Sequence, residues 1–273
     1  MTQLAPPSPE EWRLAVTGAV LAGCSRPALQ GDERPPLVCL HGFGGTWRDW
    51  DAFAAALGSD HPLVRYDLRG FGQSRTQPEA IYSHADDLAA LLDGLGHDRV
   101  DLCGMSLGGA TALSFALDHP SRVRRLVLIS PLMVGWLWSE DWIERWKAMG
   151  RAARSGDMAQ ARRLWWEHPL FAATRESPAA EQMHRAIEAY HGQQWIADPQ
   201  RRDPPDLDRL QGLEPPTLLM TGGRDIADFR QIATAIETHG PKVERKDYPA
   251  AGHMLNIEIP GLIAQDTARF LSA

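Results

Sequence analysis

The chain has 273 residues, 44% of them hydrophobic and 23% charged, with a net charge of −7. That length supports a large core and fits one α/β domain with an insertion, and the composition is that of a soluble globular protein. The acidic balance argues against nucleic acid as a partner, because that association rests on phosphate neutralisation by Lys and Arg. No run of about 18 apolar residues occurs, and no basic segment followed by an apolar one opens the chain. The expectation is a cytoplasmic protein with no membrane partner. Three cysteines, Cys24, Cys39 and Cys103, are odd in number and lack metal-ligand spacing; Cys39 and Cys103 lie in apolar runs and read as buried, reduced thiols.

In chain order, residues 1–9 are Pro-rich and read as loose. Trp12–Thr17 and Ala19–Cys24 flank Gly18 as a hairpin, and Leu37–Leu40, Leu63–Tyr66, Val100–Cys103, Val123–Ile129, Thr217–Met220 and Val243–Tyr248 read as further strands. Helical patterns separate most of them: Trp50–Leu57, Ala85–Leu95 with a capping box from Ser83 and Asp86, Ala110–Leu117, Ile226–Glu237 and Leu262–Leu271. Alternation of this kind predicts a mainly parallel sheet of eight strands covered on both faces. Between Pro131 and Arg202 no strand is plausible, and seven of the ten tryptophans fall there. A helical lid over residues 132–202 is expected, on a core of residues 1–131 and 203–273, with Asp203-Pro204-Pro205 at its exit.

Gly104-Met105-Ser106-Leu107-Gly108 stands between a strand and a helix, the place of a nucleophile elbow. A serine hydroxyl becomes a nucleophile only when a base takes its proton, so it must stand clear of the sheet on a sharp turn. The base and its orienting acid should follow on loops after later strands. Asp225 comes directly off Thr217–Met220, whereas its competitor Asp228 falls in the first turn of the next helix, where an acid complements the helix dipole. His253 follows Val243–Tyr248 at the same edge of the sheet. Ser106, Asp225 and His253 are therefore the candidate catalytic residues, with the backbone N–H groups of Phe43 and Leu107 as the candidate oxyanion donors. His41 precedes the serine and reads as structural support for its loop.

Together these motifs resemble the α/β-hydrolase superfamily over nearly the whole chain. His41-Gly42-Phe43-Gly44 looks like the oxyanion loop, and Asp67-Leu68-Arg69-Gly70-Phe71-Gly72-Gln73-Ser74 looks like the family's structural turn after the fourth strand. The insertion takes the place of the family's lid, after the sixth strand. Asp67–Ser74 together with His253–Pro260 is similar to 3-oxoadipate enol-lactonases and related small esterases. The resemblance implies an α/β-hydrolase fold and a hydrolase that cleaves a small-molecule ester or lactone through an acyl-enzyme, with no cofactor and no metal. Carbon–carbon bond hydrolases and cofactor-free perhydrolases share the triad, although the former usually carry an aromatic residue where Met254 follows the histidine. A ligand-binding protein on the same scaffold is the non-catalytic alternative. Trp136, Trp138, Trp142, Trp165 and Met254 are the expected substrate-pocket residues, and Arg145, Lys147, Arg162 and Arg163 are candidates for holding a carboxylate. The chain is expected to be a monomer or a homodimer.

Overall fold

A computed structural model describes residues 9–29, 33–59, 61–77, 80–201 and 203–273. The loose start expected over residues 1–9, all but its last residue, and Arg202 at the expected end of the lid lie outside the described residues. Among the described residues, nine strands form one sheet in the order β1-β2-β4-β3-β6-β7-β8-β9, with β5 paired to β2 alone. They are β1 Glu10–Val16, β2 Ala19–Arg26, β3 Leu37–Leu40, β4 Leu63–Tyr66, β5 Arg75–Thr76, β6 Val100–Met105, β7 Val123–Ile129, β8 Thr217–Gly222 and β9 Val243–Tyr248. The strand beyond the expected eight is β5, two exposed residues with no apolar run to betray it.

β1, β2 and β4 pair antiparallel, and every neighbour from β4 through β3, β6, β7 and β8 to β9 is parallel. Parallel strands need crossover helices, which cover both faces and leave the strands as continuous apolar runs. β3, β4, β6 and β8 are buried along their whole length. Cys39 and Cys103 sit opposite one another in β3 and β6, and all three cysteines are buried and free.

The helices are α1 Asp51–Leu57, α2 His84–Leu95, α3 Leu107–Asp118, α4 Glu140–Arg154, α5 Met158–Trp166, α6 Ala172–Arg175, α7 Ala180–Ala189, α8 Gln193–Ile196, α9 Ala227–His239, α10 Leu255–Glu258 and α11 Pro260–Ser272. None among the described residues is long and apolar enough to cross a membrane. Ser83 caps α2 through a bond from the Ala85 N–H, 3.2 Å, but the reciprocal half of the expected capping box is not made: Asp86 faces outward and accepts from Arg201 at 2.6 Å. Helices α4 to α8 all lie between β7 and β8. Both ends of this insertion are pinned together, because Asp206 N–H donates to Val134 O at 3.0 Å and Val134 N–H donates to the Asp206 carboxylate at 3.3 Å. That carboxylate is buried and also accepts from Ser114 of α3 and from Arg209.

Three buried histidines make the fold acid-sensitive. His84 lies against Phe71 and Tyr82 with no partner for either ring nitrogen, and burial holds it down to about 3. Burial also lowers His41, and His168 to about 4. Each is neutral when folded and takes up a proton on unfolding below its ordinary value of 6.5, so its contribution is present above that pH and is lost as the pH falls. The expected outcome for His84→Leu is a stability curve that falls less steeply between pH 6.5 and about 3, by up to ~1.4 kcal/mol per pH unit. Denaturant melts across that range check it, and parallel curves for the two proteins overturn it.

Candidate functional site

β6 ends at Met105 and α3 begins at Leu107, so one residue carries the whole reversal. That residue is Ser106, at φ 52° and ψ −112°, a backbone region sparsely populated by any residue other than glycine. Three hydrogen bonds of about 3.0 Å hold it: its N–H donates to Ile129 O, and its carbonyl accepts from the N–H groups of Ala110 and Leu132. The flanking glycines are required by close approach. A Cβ on Gly104 would lie 2.2 Å from Gly108 O, and one on Gly108 would lie 2.2 Å from Leu40 O. Strand, turn and helix therefore touch backbone to backbone, and the serine projects from the edge where β3, β6, β7, β8 and β9 all end.

Asp225 and His253 meet at the same edge. The loop after β8 and the loop after β9 are in contact, since a Cβ on Gly222 would sit 1.9 Å from Gly252 O. His253 Nδ1 lies 2.8 Å from Asp225 Oδ2, with both side chains buried. An ionised carboxylate only accepts, so the shared proton belongs to Nδ1 and the lone pair of the neutral ring stands on Nε2. Nε2 is buried and has no hydrogen-bond partner. The other Asp225 oxygen accepts from the Ile226 N–H at 2.7 Å, and the Phe229 ring packs on the imidazole with centroids 4.2 Å apart. Asp228 is engaged elsewhere: it accepts from the Ser139 N–H and hydroxyl at 2.9 and 2.8 Å, fastening the start of α4 to α9.

Ser106 and His253 open into one cavity of about 490 Å³. Phe43 and Leu107 line it as well, and the chain at Gly42 passes so close that a Cβ there would lie 3.5 Å from Ser106 Cβ. Of the expected pocket residues, Trp138, Trp142, Trp165 and Met254 line this space. Trp136 does not. It sits in the turn before α4, its N–H bonded to Met133 O and its indole nitrogen buried without a partner, off the row that faces the cavity. That row is Trp138, Trp142 and Trp146, spaced by four, with successive rings stacked at 4.4 and 6.2 Å. Trp146 was missed, although its spacing from Trp142 is the sequence signal for a shared helix face. The Phe43 ring is gripped edge-on by Phe71, Trp146, Trp165 and Tyr190, at centroid distances of 5.6, 5.0, 5.8 and 5.4 Å.

A model of the alpha/beta hydrolase fold family matches residues 35–260. The chain belongs to the α/β-hydrolase family. It is 29% identical over 250 residues to the dihydrolipoyllysine-residue acetyltransferase component of the acetoin cleaving system of Pseudomonas putida, a match covering 89% of this chain and 65% of that protein. It therefore spans less than two thirds of that relative's length. A hydrolase from Pseudomonas aeruginosa superposes with a TM-score of 0.81 at 27% identity, covering 97% of this chain and 99% of that one. The enol-lactonase of Burkholderia xenovorans superposes with a TM-score of 0.80 at 22% identity, covering 96% and 100%. At that identity the likeness is one of fold.

The remaining motifs of this α/β-hydrolase are structural. His41 Nε2 accepts from the Leu68 N–H at 2.9 Å, so its proton sits on Nδ1 and is given to Gly42 O at 2.7 Å. Asp67 accepts from the N–H groups of Trp47 and Gln73, both at 2.7 Å. The four cations expected to bind a carboxylate have other engagements or face water: Arg145 pairs with Asp141, Lys147 with Glu144, Arg162 donates to Tyr190 O, and Arg163 is exposed. Of these only Lys147 lines the cavity. Arg69 and Asp87 form a buried two-point ion pair at 2.7 and 2.6 Å. Burial raises Asp87, and the guanidinium opposes that rise. Arg69→Met strands a buried carboxyl group and is expected to cost about 3–5 kcal/mol, most of it recovered in Arg69→Met/Asp87→Leu. Urea unfolding of both variants measures the difference; equal losses would contradict it.

Proposed function

We propose that this α/β-hydrolase is a serine hydrolase cleaving a carboxylic ester or lactone, with an apolar, partly aromatic substrate, through an acyl-enzyme. The carrying observation is the hydrogen bond from His253 to Asp225, with the free Nε2 and the turned-out Ser106 on one aromatic-walled cavity. His253 Nε2 takes the proton of Ser106 Oγ as that oxygen attacks the carbonyl carbon. Negative charge gathers on the carbonyl oxygen, within reach of the Phe43 and Leu107 N–H groups. Collapse breaks the bond to the leaving oxygen, which receives the proton from Nε2. Water then gives a proton to Nε2 as it attacks the acyl carbon, the acyl–Oγ bond breaks to release the acid, and Nε2 returns its proton to Ser106 Oγ. Asp225 keeps the ring in the tautomer these steps require.

The lactone half of the proposal draws on the resemblance of Asp67–Ser74 and His253–Pro260 to enol-lactonases, and the ester half on the tryptophan row, whose flat apolar faces suit an acyl chain or an aryl group. Met254, in the position where carbon–carbon bond hydrolases usually carry an aromatic residue, favours the ester reading over that alternative.

Ser106→Ala is expected to lower turnover of p-nitrophenyl esters by roughly 10⁴-fold or more with an unchanged circular dichroism spectrum. A fluorophosphonate probe should label wild type and leave that variant unlabelled. Asp225→Asn keeps the geometry and loses the tautomer, so a fall of about 10⁴-fold is expected there too. Wild-type rates in either variant would refute the mechanism. A panel of esters of rising acyl length beside simple lactones and an enol-lactone separates the two substrate classes.

A further inference from the structure

Asp49, Lys147 and Asp198 line the cavity without a part in that mechanism, and of the three only Asp49 is buried. Asp49 lines the same space as Ser106 and is 9% exposed. It closes the short 3₁₀ turn Trp47–Trp50, where its Oδ2 accepts the Thr46 N–H at 3.2 Å. An amide would make that bond equally well, so the cap does not account for a charge. Nor does a counter-ion: Arg65 is paired with Asp51, and Arg48 with Glu11 and Asp51.

The charged groups around Asp49 are mostly of its own sign. Asp51 of α1 and Asp67 of the loop after β4 both act to raise it, α10 brings the neutral Asn256 against its backbone while Glu258 of that helix is bonded to Thr174 and the Gly252 N–H, and burial lowers His41. His253 faces the same cavity. Burial, more than these neighbours, pushes the Asp49 carboxyl up to about 7, against the lowering bond from Thr46. Elsewhere in the wall the charged residues are Asp198, which accepts from Tyr82, and Lys147, which is taken by Glu144. Among the described residues, no arginine lines this cavity.

We propose that Asp49 is a specificity-determining residue: its carboxylate turns away ligands that carry an anion into the cavity and leaves uncharged ones unaffected. The inference rests on the cavity being the substrate site proposed above. Like charges in a confined, weakly screened space repel strongly, whereas an uncharged ligand is indifferent to the proton on Asp49. Discrimination against acids therefore grows as the pH rises through about 7.

Binding can be read without turnover in the Ser106→Ala variant, through quenching of the cavity tryptophans by methyl 4-nitrophenylacetate and by 4-nitrophenylacetate. The ratio of their dissociation constants, acid over ester, is expected to rise about tenfold from about pH 5.5 to about pH 8.5. Adding Asp49→Asn, or Asp49→Ser, which also accepts from Thr46, should flatten the ratio and tighten acid binding at the upper pH. A flat ratio in Ser106→Ala overturns the proposal whatever the second substitution does to folding. A rise that survives loss of the Asp49 carboxyl belongs to His253 and overturns it as well, as does failure of both ligands to quench. Ester hydrolysis by wild type is scored separately: its absence alongside charge-selective binding refutes the hydrolase reading and leaves the role of Asp49 standing.

Discussion

One residue's backbone governs the site. Ser106 must turn the chain from β6 into α3 in a single step, and a non-glycine residue at φ 52° is held there only because its surroundings leave no alternative. Strand β7 supplies an acceptor at Ile129, and the chain beyond it supplies a donor at Leu132. The glycines at 104 and 108 let strand, helix and the end of β3 approach within contact distance. Strain of this kind costs on the order of 1–3 kcal/mol, and the buried parallel sheet beneath it is what offsets that cost. The serine hydroxyl is thereby fixed by elements that have no other way to pack.

Around that point the insertion reaches further than a cover would need to. Its tryptophans and Tyr190 surround the Phe43 ring, so α4, α5 and the chain after α7 fix the residue whose N–H is the proposed oxyanion donor. On the far side Trp138 and Trp142 lean on Phe229, which leans on His253. Glu258 adds a polar tie, accepting from Thr174 in α6 and from the Gly252 N–H, each at 2.6 Å. Insertion and core are therefore one packed unit around the cavity, and a substitution in α4 bears on both the loop of Phe43 and the ring of His253.

How much of this was legible in the sequence follows from how local each signal is. The buried parallel strands were legible because both faces are covered, which makes each a continuous apolar run. β5 was not, since two exposed residues paired by backbone alone carry no side-chain signature. Asp225 could be preferred to Asp228 because a residue leaving a strand and one entering a helix have different surroundings, and Ser139 explains what the second acid does. Trp136 was misplaced because a tryptophan count says nothing about which side of a turn each ring takes. Asp49 gave no signal at all: a Thr-x-x-Asp cap looks the same whether its carboxyl meets water or a cavity.

Asp206 and Val134 bring the two ends of the insertion within one hydrogen-bonded pair, anchored to α3 through Ser114. Entry and exit of the insertion thus share one junction, so the sheet meets the same two residues however long the segment between them. The rings that meet Phe43 and Phe229, and the Thr174–Glu258 tie, are a second constraint, because they reach the loops of Phe43 and His253. Drift in this segment is therefore channelled: its length and outer faces are free to wander, while the few contacts that touch both sides of the cavity hold their places.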